Sequence, residues 1–163
     1  MSERLNQIIK QFKDIQDGLL WMGENFEKKI QKIKDNEVFI RPEPSIHSIA
    51  ELIAHLTAWR KDALHKITTG KGHLVDEMPE NWPTNTQLKE KGWDTIWKEH
   101  LKSRSSFVNL LEKKQDSFLN ETYFDPEFKG NYPYSFAIDG ILHHEIYHLG
   151  QIGLVVKLLK EKN

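Results

Sequence analysis

A chain of 163 residues is long enough for a domain with a sizeable core, and residues 1–163 read as a single domain. Its 23 basic and 24 acidic side chains nearly cancel, which argues against nucleic acid or an anionic membrane as partner. Cysteine is absent, excluding disulfides, thiolate metal sites and a cysteine nucleophile.

The N-terminal stretch MSERLNQIIKQF lacks the apolar core and cleavage site of a secretory signal, so a cytoplasmic location is expected. No run approaches the roughly 18 apolar residues of a membrane span. With 38% apolar residues overall, the interior must therefore come from amphipathic elements. The first such element runs from about Glu3 to Ile33, where Leu5, Ile8, Phe12, Ile15, Leu19, Met22, Phe26 and Ile30 keep one apolar side. Gly18 and Gly23 weaken it and mark a bend. Pro42 and Pro44 then break the chain. Ser48 with Glu51 forms a capping box that opens a second helix, with Ile49, Leu52, Leu56, Trp59, Ala63 and Ile67 on one face and Gly70 as its stop. A polar connection follows, from Lys71 to about Gly92. A third helix starts near Trp93 or Asp94, with Trp93, Trp97, Leu101, Val108 and Leu111 in its stripe and His100 and Arg104 inside that stripe. The next connection, about Gln115 to Tyr134, is rich in aromatic residues. The fourth helix spans about Ser135 to Lys160, with Ile141, Ile152, Val155, Val156 and Leu159 facing inward. No segment shows sustained strand alternation. Four long helices in an all-α chain of this size define a four-helix bundle.

His144 and His148 are four residues apart on the fourth helix, so both rings leave one face a turn apart, a spacing that suits one metal ion. Both lie on the apolar stripe, where two imidazoles need partners and a metal satisfies both at once. The segment His144-Glu145-Ile146-Tyr147-His148 also spells a zinc-protease signature. Position 154 is Leu where the extended form of that motif wants His, and no suitable glutamate follows, so a third ligand must come from upstream. By periodicity the candidates are His55, at the edge of the second helix's stripe, and His100, more central on the third.

A histidine midway along helix two in the context Ser48-Ile49-x-Glu51-Leu52-x-x-His55-Leu56, combined with His144-x-x-x-His148-x-Gly150-Gln151-Ile152, resembles the DinB/YfiT-like superfamily. The resemblance covers nearly the whole chain. It implies an up-down-down-up four-helix bundle, a divalent metal held by His55, His144 and His148, and a homodimer. It favours His55 over His100. It further implies a metal-dependent enzyme, either a transferase using a low-molecular-weight thiol such as bacillithiol or mycothiol, or a hydrolase of a small organic substrate. The other classes open to it are a non-catalytic small-molecule-binding stress or resistance protein and a structural dimerisation bundle.

Three neutral imidazoles suit zinc or nickel best, with iron or manganese as further options, and leave positions open for chemistry. Any thiol must be a diffusible cosubstrate, because the chain has none of its own. Glu145, on the buried side of the fourth helix, is a candidate base or a carboxylate that orients a ligand ring. Trp59, His100 and Arg104 are candidates for substrate binding.

Overall fold

The computed structural model describes residues 3–162. The first helix, α1 (Glu3–Gln16), buries Leu5, Ile8, Ile9, Phe12 and Ile15. It does not continue to Ile33 as the apolar spacing suggests. Gly18 follows the last turn so closely that a Cβ there would lie 2.5 Å from the Asp14 carboxylate, and Gly23 adopts φ +74°. Asn25 then starts the short helix α2 (Phe26–Ile30), its side chain accepting from Lys28 N and donating to Gly18 O. Leu19 and Met22, on the expected stripe, are solvent-exposed in this break. Their spacing matches a helix that two glycines and a new cap interrupt.

Helix α3 (Ile49–Thr69) has the expected boundaries. The Ser48 hydroxyl accepts from Glu51 N, the Glu51 carboxylate accepts from Ser48 N, and Gly70 closes the helix in the left-handed region. The connection after it is not wholly irregular, for Thr84 caps a short helix, α4 (Asn85–Lys91), with Gln87 completing a second capping box. Helix α5 (Trp93–Leu111) buries Trp93, Ile96, His100, Ser103, Phe107, Val108 and Leu111. Its buried face is thus rotated from the expected stripe, leaving Trp97, Leu101 and Arg104 half-buried. A 3₁₀ turn (Asp116–Asn120) leads into an antiparallel hairpin, β1 (Thr122–Asp125) and β2 (Gly130–Pro133), paired Thr122↔Pro133 through Asp125↔Gly130. Strands of four residues are too short to show alternation in the sequence. The hairpin forms because Asp125 Oδ1 accepts from the Glu127 and Phe128 amides and Lys129 takes φ 53° in the turn. The long helix α6 (Tyr134–Glu161) completes the fold.

Side-chain pairings fix the directions of the four long helices. Thr57 and Arg60 of α3 meet His100 and Ser103 of α5, so these two run parallel. His55, Arg60 and Lys66 of α3 meet His148, Glu145 and Tyr134 of α6 in descending order, so these run antiparallel. Phe12 and Gln16 of α1 meet Phe107 and His100 of α5, also antiparallel. The result is an up-down-down-up four-helix bundle. Two parallel neighbours need a connection that travels back along the bundle, and α3 spans about 30 Å. That return is made by residues 70–92, which run back along α3, bonding Asp62 through His73 and Leu74, His55 through Asn81 and Ser48 through Asn85.

Candidate metal centre

His55 comes from the middle of α3, and His144 and His148 from consecutive turns of α6. The Nε2 atom of His144 lies 2.9 Å from His55 Nε2 and 2.9 Å from His148 Nε2. No other cluster of three histidine or carboxylate ligand atoms of this kind occurs among the described residues.

The outer ring nitrogens determine what the inner ones present. His55 Nδ1 is 3.1 Å from the backbone oxygen of Asn81, which can only accept, so this nitrogen carries the proton and Nε2 a lone pair. His148 Nδ1 donates to Gln151 Oε1 at 2.6 Å, with the same consequence. Three inward nitrogens therefore share at most one proton, that of His144, and at least two lone pairs face a common point. This donor set fits a cation better than it fits itself. Burial first, then the neighbouring imidazoles, lowers the His144 pKa to about 3. Burial also lowers His55 to about 4 and shifts His148 downward. All three rings are thus held neutral, the form that ligates.

The rings are locked by packing. Trp82 stacks flat on His55 with centroids 3.8 Å apart, and His47 stacks on the far side of Trp82 at 3.9 Å. Asn81, itself buried, receives the Trp59 indole N–H on Oδ1 at 2.8 Å while its backbone holds His55. Asn81 and Trp82 belong to the connection after α3, where no periodicity marks them. Gln151 stands in the C-terminal motif, but its bond to His148 has no signal beyond that position.

The other expected site residues separate. Trp59 stands beside His144, ring centroids 6.4 Å apart, and lines a cavity of ≈ 380 Å³ into which His55 and His144 also face. His100 is fully buried elsewhere, stacked on Trp97 and donating to Gln16 Oε1 at 3.2 Å. It lies in the core between α1, α3 and α5 and does not line that cavity. Arg104 sits half-buried near Asp17, 3.7 Å away. Glu145 pairs with Arg60, whose Nε donates to its Oε1 at 2.8 Å, and it makes no hydrogen bond to the histidines. Burial pushes the Glu145 carboxyl up while Arg60 opposes this. A larger cavity, ≈ 830 Å³ between α3, α4 and α5, contains none of the three histidines. The smaller one adjoins the chemistry and is the one that matters here.

The fold and site together define a class: an up-down-down-up helical bundle with three convergent imidazoles that could hold a metal ion. The chain belongs to the DinB superfamily, whose family model matches residues 19–152. No curated protein matches it in sequence. Among solved structures it is similar to YfiT from Bacillus subtilis, described as "a probable metal-dependent hydrolase with an unusual four-helix bundle topology". The two share 9% identity at a TM-score of 0.68, over 99% of this chain and 89% of that one. At that identity the likeness speaks for the fold. Among the described residues, no helix is long and apolar enough to cross a membrane.

Proposed function

We propose that this protein is an enzyme that holds a divalent metal ion with His55, His144 and His148 and acts on a small organic molecule, as a hydrolase or as a transferase of a low-molecular-weight thiol. The observation that carries this is the convergence of three imidazole nitrogens at one end of a cavity of ≈ 380 Å³. That volume is within the range of small-molecule sites. The description of YfiT as a probable metal-dependent hydrolase supports the hydrolytic branch. When bound, the ion would supply a Lewis acid with ligand positions left open toward the cavity. Zinc or nickel suits this nitrogen set best.

The chain's own residues do the rest. The Asn81 carbonyl and Gln151 hold the two outer rings in the ligating tautomer. Trp59, Ile141 and Phe136 line the cavity and limit water. Glu145 acts through Arg60 as a positioning residue, setting the turn of α6 that carries His144.

The test starts with untagged protein purified without an immobilised-metal column. Elemental analysis should find a stoichiometric divalent metal, and His144→Ala should lose both the metal and any turnover. Gln151→Ala should weaken metal binding by about 10–100-fold, as losses of such orienting partners do. Consumption of a thiol with monochlorobimane, set against hydrolysis of an ester and amide panel, separates the two branches. Full activity in metal-free protein overturns the proposal.

A further inference from the structure

The cavity beside the histidines is not electrically neutral. It follows α3 from His55 to Lys66, eleven residues or about 16 Å along the axis. Its floor is formed by small residues, Ala63, Ala137 and Gly140, with Ile141 beside them. Three carboxylates line it, those of Asp76, Asp125 and Glu127, against a single cation, Lys66.

Lys66 is already spoken for. Its Nζ lies 2.9 Å from both Asp125 and Asp62, and 5.7 and 5.4 Å from the ring centroids of Trp59 and Tyr123. Asp125 also accepts from the Tyr123 hydroxyl at 2.9 Å. Counting Asp62, which pairs with Lys66 from behind, four carboxylates stand in or against the cavity wall with one ammonium. The protein's own lysine shows what the wall accommodates: an ammonium between two aromatic faces and two acids.

The nearer carboxylates resemble that arrangement without a lysine in it. Asp76 is exposed and joined to the site through Asn81, whose Nδ2 donates to Asp76 O at 3.0 Å and Oδ1 at 3.3 Å. Glu127 stands next to it, accepting from Asp76 N at 2.9 Å. Phe128 and Phe136 line the same cavity, ring centroids 5.4 Å apart and 56% and 43% exposed. Tyr132 stacks on one face of Phe136 at 4.7 Å, and the aromatic surface that the two phenyl rings still expose beside two carboxylates attracts a cation by both Coulomb and cation–π terms.

We propose that this cavity takes an organic cation with an aromatic or other apolar body, its charged end at Asp76, Glu127 and the Phe128–Phe136 pair and its other end toward the three histidines. The inference deepens the proposed function and rests on it only for which end of the ligand reacts. It disfavours small molecules that carry several carboxylates.

The test is calorimetric titration of the full chain, zinc-loaded and chelator-treated, with two probes whose head groups are poor metal ligands. These are (2-naphthylmethyl)trimethylammonium and 2-naphthalenesulfonate. The ammonium should bind at least about tenfold tighter at low ionic strength. The preference should shrink in ~0.5 M salt. It should collapse in the Asp76→Asn/Glu127→Gln double variant, with circular dichroism checking that the fold is kept. Equal or tighter binding of the sulfonate, no binding of the ammonium at millimolar concentration, or a preference that survives the double substitution overturns the proposal. Metal content is read on the same samples. Charge preference without metal overturns only the proposed function, and metal without charge preference overturns only this inference.

Discussion

His100 and the three clustered histidines are all held neutral by burial, yet their surroundings differ. His100 has Arg60 and Arg104 near it, and these cations together with burial place its folded-state pKa well below 6.5. In the unfolded chain the ring titrates near 6.5. Below that pH the unfolded state binds a proton that the folded state refuses. The contribution to stability is therefore full above about pH 6.5 and is lost as pH falls toward the depressed folded value. His100→Gln keeps a polar group facing Gln16 and Thr57 but removes the titration. Chemical denaturation of metal-free protein at pH 7.5 and pH 5.5 should show a smaller acid loss in the variant, by up to about 1.4 kcal/mol per pH unit. An unchanged pH slope sinks this account of His100. The same comparison shows what the sequence could reveal at this scale. His144 and His148 declare themselves because one helix turn sets their relation. His55 and His100 could not be separated by periodicity, since both lie near an apolar stripe and only the packing of α3 against α6 decides between them. Asn81 and Trp82 were illegible, because their roles come from a connection running back along α3.

At the level of elements, local chemistry that is complete within a few residues was readable, and chemistry that depends on distant partners was not. The Ser48–Glu51 box and Gly70 gave both ends of α3 because each signal is local. The apolar spacing through Leu19 and Met22 was misleading, since a stripe needs a partner surface and these side chains have solvent. The β1–β2 hairpin depends on Asp125 bonding its own turn, which no alternation over four residues announces. Ser48 is the element-scale lever. Its hydroxyl caps α3 and also donates to Asn85 Oδ1 at 2.8 Å, tying the start of α3 to α4. Ser48→Ala should cost about 1 kcal/mol. For a chain of this size, that lowers the thermal midpoint by about 2–4 °C. Calorimetry on metal-free protein checks it, and no change in midpoint means that the cap contributes nothing.

For the molecule as a whole, the relation between α3 and α6 sets how far His55 stands from His144, and one buried brace spans that interface. Arg60 leaves α3 fully buried and donates to Glu145 of α6 through Nε at 2.8 Å. Its NH1 donates to the His100 carbonyl at 3.0 Å and to Ser103 Oγ at 2.9 Å on α5, so one guanidinium joins three of the four long helices. Such a brace is a poor source of net stability, because desolvating both charges consumes most of their attraction. Breaking one side of it is another matter. Glu145→Gln leaves the guanidinium buried without a counter-charge and should cost about 3–5 kcal/mol. A loss of that size lowers the midpoint by on the order of 10 °C. Replacing both partners, Arg60→Met with Glu145→Met, should recover most of that loss, since the cost lies in the stranded charge. Metal affinity supplies the second reading. If the brace holds the two helices in the register that the histidines require, affinity falls in the single variant and returns in the double one along with stability. Should the double variant regain its midpoint but not its metal, Glu145 acts on the site through something other than the Arg60 pair.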